Sequence, residues 1–186
     1  MNQEQWTAVD AYLGAALLPP DPALEATRLA NSSARLPAID VSPCQGKLLY
    51  LLALMLGARR ILEIGTLGGY STIWMAKALP VDGLLVSLEA DPKHSLVAQQ
   101  NIDRAGFGKL VHILIGDALE SLPKVTTDYK GAFDLIFIDA DEASTPEYFR
   151  WALGEHRSQC PRDASPYGKW WRRNQSHGHR NSDRWH

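Results

Sequence analysis

The sequence predicts an α/β fold, a Rossmann-like doubly wound parallel sheet, from three observations. Short apolar runs begin at residues 61, 84, 111 and 135, so they recur every 23 to 27 residues. Each run is continuously apolar, as in buried parallel strands whose two faces are both covered. Segments with helical spacing lie between them, and strand–helix–strand units of this length build a parallel sheet with helices on both faces.

Three helices are predicted before the first strand: residues 4–18, residues 22–32, and a helix that starts at Ser42-Pro43 and stops near Gly57. Residues 31–37 are expected to form a loop. Ser42 supplies a side-chain cap, and a proline suits the first helical turn.

The repeating part contains four predicted strands, Ile61–Ile64, Leu84–Leu88, Val111–Ile115 and Leu135–Ile138. The helices between and after them are predicted at Ser71–Leu79, Pro92–Ala105, Ala118–Leu122, and from Pro146-Glu147 to Leu153.

The composition bounds the possible classes of protein. The chain has 186 residues, of which 45% are hydrophobic and 22% charged, and it contains two cysteines. A wholly disordered chain and a disulfide-framework protein are therefore excluded. No apolar run approaches the roughly 20 residues that a bilayer span needs. We expect no signal peptide, no membrane partner and a cytoplasmic location.

The last 33 residues differ in composition from the rest. Residues 154–186 carry seven basic and three acidic side chains, and they contain no Val, Ile, Leu, Met or Phe. Such a segment has little apolar surface to offset its ordering entropy. We predict one folded domain at residues 1–153, with N-terminal helices and a substrate-side segment at 1–42 and ligand-binding βα units at 43–153. Residues 154–186 are predicted to be a disordered tail.

The first predicted strand leads into a glycine-rich turn. Glu63 is followed by Gly65, Gly68 and Gly69, which lets the backbone approach a ligand closely. Glu63 stands where the G-x-G-x-x-G dinucleotide pattern has its first glycine. A carboxylate there disfavours a pyrophosphate and suits a cationic ligand. The alternative is a turn that only connects strand and helix.

Acidic residues also follow the other three strands. Glu89 lies 24 residues after Gly65, where a ribose-hydroxyl acceptor is expected, and Asp91 is better explained as a helix cap. The Gly116-Asp117-Ala118 turn could lie against a base. Asp139, Asp141 and Glu142 offer the hard oxygen ligands that Mg²⁺ or Ca²⁺ prefer. Each has a plain surface turn as its alternative, but together they fit a nucleoside that carries a sulfonium group.

On these residues the chain resembles the class I methyltransferases that use S-adenosylmethionine. Within them it resembles the metal-dependent O-methyltransferase family of caffeoyl-CoA and catechol type. The motifs that carry the resemblance are Val41–Lys47, Leu62–Ser71, Leu88-Glu89, Gly116–Ala118 and Phe137–Asp141. The match covers about residues 1–153.

The resemblance implies a role for each matching position. Val41, Gly65 and Thr66 would contact the methionine part of the cofactor, with Glu63 and Ser71 beside it. Glu89 would bind the ribose hydroxyls, and Gly116, Asp117 and Ala118 would line the adenine site. Asp139 would be the catalytic residue and a metal ligand, and Asp141 would lie next to the cofactor. The family's divalent ion, Mg²⁺ or Ca²⁺, orients and acidifies the hydroxyl of a small phenolic acceptor. The resemblance also allows a homodimer.

Two features depart from the family's pattern. Glu142 stands where the family usually has lysine. The family also continues into a further strand ending in Gly-Asp-Asn, which completes the metal site, and nothing after Leu153 matches it. We interpret the tail as the product of a truncation or frameshift, and we expect a sheet that is incomplete at its C-terminal side, with its last strands missing.

Three functional hypotheses follow. The first is an O-methyltransferase acting on small phenolic or catechol-like substrates. The second is a truncated methyltransferase domain that binds cofactor without turnover. The third is a nicotinamide-dependent dehydrogenase, against which Glu63 argues. Trp170-Trp171-Arg172-Arg173 could bind nucleic acid by charge and stacking, but a disordered non-native end explains the tail better, and we do not expect a nucleic-acid partner.

Overall fold

The computed structural model describes residues 3–154 of the chain. Seven helices and four strands are found there. The helices are α1 (Gln3–Leu17), α2 (Pro22–Ser33), α3 (Pro43–Met55), α4 (Tyr70–Ala76), α5 (Pro92–Arg104), α6 (Ala118–Asp128) and α7 (Thr145–Ala152). The strands are β1 (Arg60–Ile64), β2 (Leu84–Glu89), β3 (Val111–Ile115) and β4 (Leu135–Ile138). None of the helices in this part of the chain is both long and apolar enough to cross a membrane.

The four strands form one parallel sheet in the order β3-β2-β1-β4. The chain moves outward from β1 to β3 and then crosses back to place β4 on the other side of β1. Right-handed crossovers that reverse direction put their helices on opposite faces, as expected of a doubly wound sheet. The predicted fold class is confirmed. Within the described residues β4 pairs only with β1, which fits the expected incomplete sheet.

The core lies between the sheet and the helices packed on it. Its largest fully buried side chains are aliphatic residues from β1, β2, α4, α5 and α6, including Ile61, Leu62, Ile64, Ile73, Met75, Leu85 and Ile102. At about 25 cal/mol for each Å² of apolar surface removed from water, these side chains dominate the stability of the sheet. One of the fully buried side chains, Glu63, is ionisable.

The helix starts follow local chemistry. Ser42 and Gln45 form the capping box of α3, in which Ser42 accepts from the Gln45 amide and the Gln45 side chain accepts from the Ser42 amide. Asp21, Asp91 and Asp117 cap α2, α5 and α6 with their carboxylates. The cap predicted at Asp91 is confirmed.

The predicted strands are found within one residue. The helix predicted at residues 22–32 is also found within one residue, but the predicted loop was wrong at its start, because residues 31–33 lie in α2. Helix α4 ends at Ala76 and not at the predicted Leu79. Helix α6 continues through Pro123 to Asp128, because a proline within a helix removes one backbone hydrogen bond without having to end it.

The chain divides into two compact units, with the boundary after Ala140. Asp141, Glu142 and α7 belong to the second unit. The division into segments 1–42, 43–153 and 154–186 stays a prediction, and the tail lies outside the described residues except for Gly154.

Candidate functional site

The turn that joins β1 to α4, residues 65–69, lies at the carboxyl end of the sheet. The turn begins at the end of β1. The direction of strand addition reverses between β1 and β4, and open α/β sheets bind ligands at such switch points. Gly65 has φ +100° and Gly69 has φ +82°, while Leu67 holds the same left-handed region at φ +49° without being glycine. A left-handed non-glycine residue costs about 1–3 kcal/mol and persists only where its surroundings hold it.

Gly65 brings the end of β1 against the end of β4. A Cβ built on Gly65 would lie 2.0 Å from the carbonyl oxygen of Asp139, so only glycine permits this approach. The Asp139 amide donates to the Ile64 carbonyl at 2.8 Å, which fixes the two strand ends side by side. The structure thus brings together the predicted residues Gly65 and Asp139.

The carboxylate of Glu63 is enclosed beneath this turn and has no solvent exposure. It accepts hydrogen bonds from Ser71 Oγ at 2.5 Å, Thr72 Oγ1 at 2.5 Å and Ser87 Oγ at 2.7 Å. Burial raises the pKa of Glu63 to about 7; the three hydroxyl donors oppose this rise, and the Asp139 charge adds to it. Because Glu63 is fully buried, its contacts are with these hydroxyl groups, and it can influence a ligand at the turn only through them or through its charge.

A hydroxyl relay links Glu63 to the turn above it. Thr66 Oγ1 lies 2.5 Å from Ser87 Oγ. Ser87 Oγ contacts Glu63 as well, and Thr66 Oγ1 also donates to the Leu88 carbonyl at 3.3 Å. The conformation of the turn is therefore coupled to the buried carboxyl group.

Glu89 holds the turn from the side of β2. One of its oxygens accepts from the Thr66 amide at 3.1 Å and from the Leu67 amide at 2.7 Å, and the other accepts from the Asp91 amide at 2.9 Å. Its residue is 8% exposed. Charge-assisted bonds to two successive amides explain how Leu67 keeps its left-handed conformation. A carboxylate has about four acceptor sites, so Glu89 keeps capacity for a ligand hydroxyl.

The third strand end adds a compact turn. Gly116 has φ +139°, and its amide donates to the Glu89 carbonyl at 2.9 Å, which places this turn beside the end of β2. Asp117 accepts from the Leu119 amide at 2.7 Å and from the Glu120 amide at 3.3 Å. Its carboxylate thus serves α6 as a cap, while Ala118 is half-buried in the first turn of that helix.

Two further predicted residues of the first unit, Val41 and Asp139, differ in their exposure. Val41 is half-buried and packs against the hydrophobic core just before the α3 cap. The Asp139 residue as a whole is exposed, but its carboxyl group is partly desolvated, and this desolvation raises its pKa.

The described residues do not form a metal site. Within residues 3–154 no group of three or more His, Cys, Asp or Glu side chains could hold a metal ion. A hard divalent cation needs about six oxygen ligands, and Asp139 supplies one carboxylate. The Asp and Asn that the family resemblance adds to the site would fall after residue 154, outside the described residues.

Asp141 has partners within its own unit. Its carboxylate accepts from the Ser144 amide at 2.7 Å and from the Tyr148 hydroxyl at 2.7 Å. The Tyr148 hydrogen bond and then the Ser144 bonds lower the pKa of Asp141. These contacts bracket the start of α7, so the carboxylate organises the segment in which it lies. Glu142 is exposed.

The structure adds site residues that the sequence interpretation left out. Ser87 and Thr72 bind Glu63, and Ser87 lies directly opposite Glu63 in the parallel register of β1 and β2. A serine in the otherwise apolar segment Leu84–Leu88 was the available signal. His94 also lies beside the site and places Nδ1 3.5 Å from a Glu89 oxygen.

Similar proteins agree with this arrangement. Residues 20–157 match the family model described as O-methyltransferase. A catechol O-methyltransferase of Niastella koreensis is 52% identical over 153 residues, which cover 82% of this chain and 69% of that protein. A catechol O-methyltransferase of Mycobacterium tuberculosis is 49% identical over 145 residues, covering 78% of this chain and 64% of that protein.

A solved structure shows the same likeness in three dimensions. The O-methyltransferase from Bacillus cereus, crystallised in complex with SAH, superposes with a TM-score of 0.79 at 42% identity, over 93% of this chain and 86% of that one.

The fold and the glycine turn are those of a class I methyltransferase. The chain belongs to the O-methyltransferase family, since the family model spans most of it and its relatives are about half identical. The predicted family and enzyme class are confirmed. The matched part of the chain spans 69% and 64% of the length of the two named catechol O-methyltransferases.

Proposed function

We propose that this chain binds S-adenosylmethionine at the 65–69 turn and transfers its methyl group to a hydroxyl of a small phenolic, catechol-like substrate. The observation that carries the proposal is the turn itself: Glu89 fixes two of its amides, and Glu63 is buried beneath it. The names of the catechol O-methyltransferases of Niastella koreensis and Mycobacterium tuberculosis support the acceptor class.

The donor set suits this cofactor. Its ammonium and sulfonium groups are positive, and three carboxyl-bearing residues lie at the strand ends around the turn. Glu63 is the residue before the last in β1, Glu89 is the last in β2, and Asp139 follows β4. A positive charge near Glu63 favours the ionised form of that carboxyl and so lowers the cost of burying it. Glu89 retains an acceptor site for ribose hydroxyls, and the Gly116 turn lies beside it for the base.

In the reaction, S-adenosylmethionine supplies an electrophilic methyl group: its sulfur–carbon bond breaks while the acceptor oxygen forms the new bond, and the hydroxyl proton leaves to water. The chain contributes position. Glu89 and Gly65 fix the backbone on which the cofactor rests, and such positioning converts a bimolecular step into an effectively unimolecular one.

No step is assigned to a metal ion. The described residues do not fit a divalent site, as shown above. Glu142 stands where the family resemblance has a lysine, so the positive charge that the resemblance implies for this position is absent. We therefore expect the chain to bind the cofactor but to transfer its methyl group only slowly. The second candidate, a cofactor-binding domain without turnover, is favoured by the absence of a metal-ligand group among residues 3–154.

Thermal shift and calorimetry test the binding half of the proposal. S-adenosylhomocysteine is expected to raise the Tm and to give a saturable binding isotherm, whereas NAD should do neither. NAD is the matched control because a dinucleotide-binding turn would favour it. Binding of NAD in preference to S-adenosylhomocysteine would contradict the proposal and favour the dehydrogenase.

A methyl-transfer assay tests the other half. Catechol and caffeic acid are compared with phenol, with Mg²⁺ and with EDTA in parallel. Slow methylation of the two catechols and not of phenol is expected. Cofactor binding with no methylation in either condition would leave the binding domain as the function, and robust Mg²⁺-dependent turnover would show that the metal site is complete.

A further inference from the structure

A buried amide network joins three parts of the chain around Gly68. It consists of Asn31 at the end of α2, Asn101 in α5 and the Gly68 carbonyl in the turn. Asn101 Nδ2 donates to Gly68 O at 2.9 Å and to Asn31 Oδ1 at 3.0 Å. Asn31 Nδ2 then donates to a carboxylate oxygen of Asp40 at 3.0 Å.

The two asparagines are almost completely enclosed. Asn31 is 3% exposed and Asn101 is 1% exposed. Burying an amide costs free energy unless its hydrogen bonds are made, and here the side-chain amides of both asparagines have hydrogen-bond partners. Asn101 uses both of its donor hydrogens, and its oxygen accepts from Arg104 Nη1 at 2.8 Å.

The network is polarised from one charge to another. Its donors run from the Arg104 guanidinium through Asn101 and Asn31 to the Asp40 carboxylate. Hydrogen bonds in such a chain polarise and strengthen one another.

The network also explains the glycine at position 68. A Cβ there would lie 1.9 Å from Asn31 Oδ1, so the Asn31 side chain occupies the space that any other residue would need. Gly68 is therefore required by the amide network, whereas Gly65 and Gly69 have positive φ angles.

The turn is held by one hydrogen-bond acceptor and one hydrogen-bond donor. Glu89 binds the amides of Thr66 and Leu67, and Asn101 binds the carbonyl of Gly68. The same chain of bonds ends on Asp40, directly before Val41. The network thus ties the turn to the segment that precedes α3.

We infer that Asn101 and Asn31 are positioning residues for the cofactor site, which hold the 65–69 turn and the Asp40–Val41 segment in one fixed arrangement. This inference rests on the proposed binding of S-adenosylmethionine at the turn. It assigns part of the affinity to residues that need not touch the cofactor.

Asn101→Asp tests the inference with an isosteric change. The carboxylate keeps its shape and its contact with Arg104, but it cannot donate to Gly68 or Asn31. The matched control is Gln100→Glu, which makes the same chemical change at an exposed position of the same helix. Calorimetry with S-adenosylhomocysteine is run on wild type and both variants, at a temperature where each is folded by circular dichroism.

We expect Asn101→Asp to weaken S-adenosylhomocysteine binding by about tenfold or more, as for the loss of one or two buried hydrogen bonds. Gln100→Glu should bind as wild type. Amide hydrogen exchange, measured without ligand, should be faster in Asn101→Asp at residues 65–69 and at Val41, but not in β3. A merely structural role would lower the Tm and leave the affinity of the folded variant unchanged.

If Asn101→Asp does not fold, Asp40→Ala provides the same test at the half-buried far end of the network. It should weaken binding by about threefold to tenfold, as for the loss of one bond to a charged group. Unchanged affinity in a folded Asn101→Asp, or in Asp40→Ala if the first variant is unfolded, would overturn the inference. Failure of wild type to bind S-adenosylhomocysteine at all would instead refute the proposed function on which it rests.

Discussion

Glu63 should make the stability of the ligand-free protein depend on pH, and Glu63→Gln should remove that dependence. The carboxyl group is fully buried, and its pKa is raised from 4.5 to about 7. Between these two pH values the unfolded chain releases the Glu63 proton while the folded chain retains it. The folded state then binds more protons, so the free energy of unfolding falls as pH rises.

The magnitude follows from the shift. At about 1.4 kcal/mol for each pKa unit, the ionised form costs about 3 kcal/mol once the pH exceeds 7, and nothing below 4.5. Glutamine has the same shape and no proton to release. The neighbouring hydroxyls of Ser71, Thr72 and Ser87 can rotate to accept from its amide.

Urea unfolding measures the effect. The free energy of unfolding is determined for wild type and Glu63→Gln at several pH values from about 5 to 8, with the m-value monitored for changes in the unfolded state. The difference between the variants should grow in favour of glutamine as pH rises. Parallel pH profiles for the two proteins would refute the assignment of a raised pKa to Glu63.

Three further variants test the turn and its supports. Gly65→Ala should lower the free energy of unfolding by about 2 to 4 kcal/mol, because the new Cβ meets the Asp139 carbonyl at a positive φ; a thermal melt like that of wild type would contradict it. Ser87→Ala should cost about 1 to 3 kcal/mol at pH 8 and less at pH 5, since it removes a donor from ionised Glu63; equal costs in urea titrations at both pH values would argue against a titrating Glu63. Asp117→Ala should cost about 1 kcal/mol as the loss of a helix cap, and an unchanged free energy of unfolding in urea would contradict this.

The strands could be predicted because each one is a continuous apolar run. The four runs between Ile61 and Ile138 are bounded by glycine, charge or turn residues, and parallel strands covered on both faces need that pattern. Helix ends were harder to place. The predicted helix Ala118–Leu122 was too short, since α6 continues through Pro123 to Asp128, because the packed helix tolerates one missing backbone hydrogen bond.

Site residues were predictable where local sequence fixes them. Gly65 and Glu89 belong to recognisable strand ends, and the structure places them on the same turn. Asn31 and Asn101 could not be found in this way. They are 70 residues apart, and only the packing of α2 against α5 brings their amides together.

The prediction for the tail depends on residues outside those described. The expected disorder and the frameshift interpretation concern residues 154–186, and they stay predictions. The expected metal site also stays a prediction, because in the family's pattern the ligands that would complete it follow Leu153.

The affinity of Glu89→Gln for S-adenosylhomocysteine tests the central claim most directly. The substitution keeps the size of the side chain but replaces a charged acceptor of the Thr66 and Leu67 amides by a neutral one, and it weakens the acceptor for ribose hydroxyls. Calorimetry should show one binding site in wild type and an affinity at least tenfold lower in the variant, as for loss of hydrogen bonds to a charged group. Equal affinities in two folded proteins would contradict the claim that Glu89 and the 65–69 turn bind the cofactor.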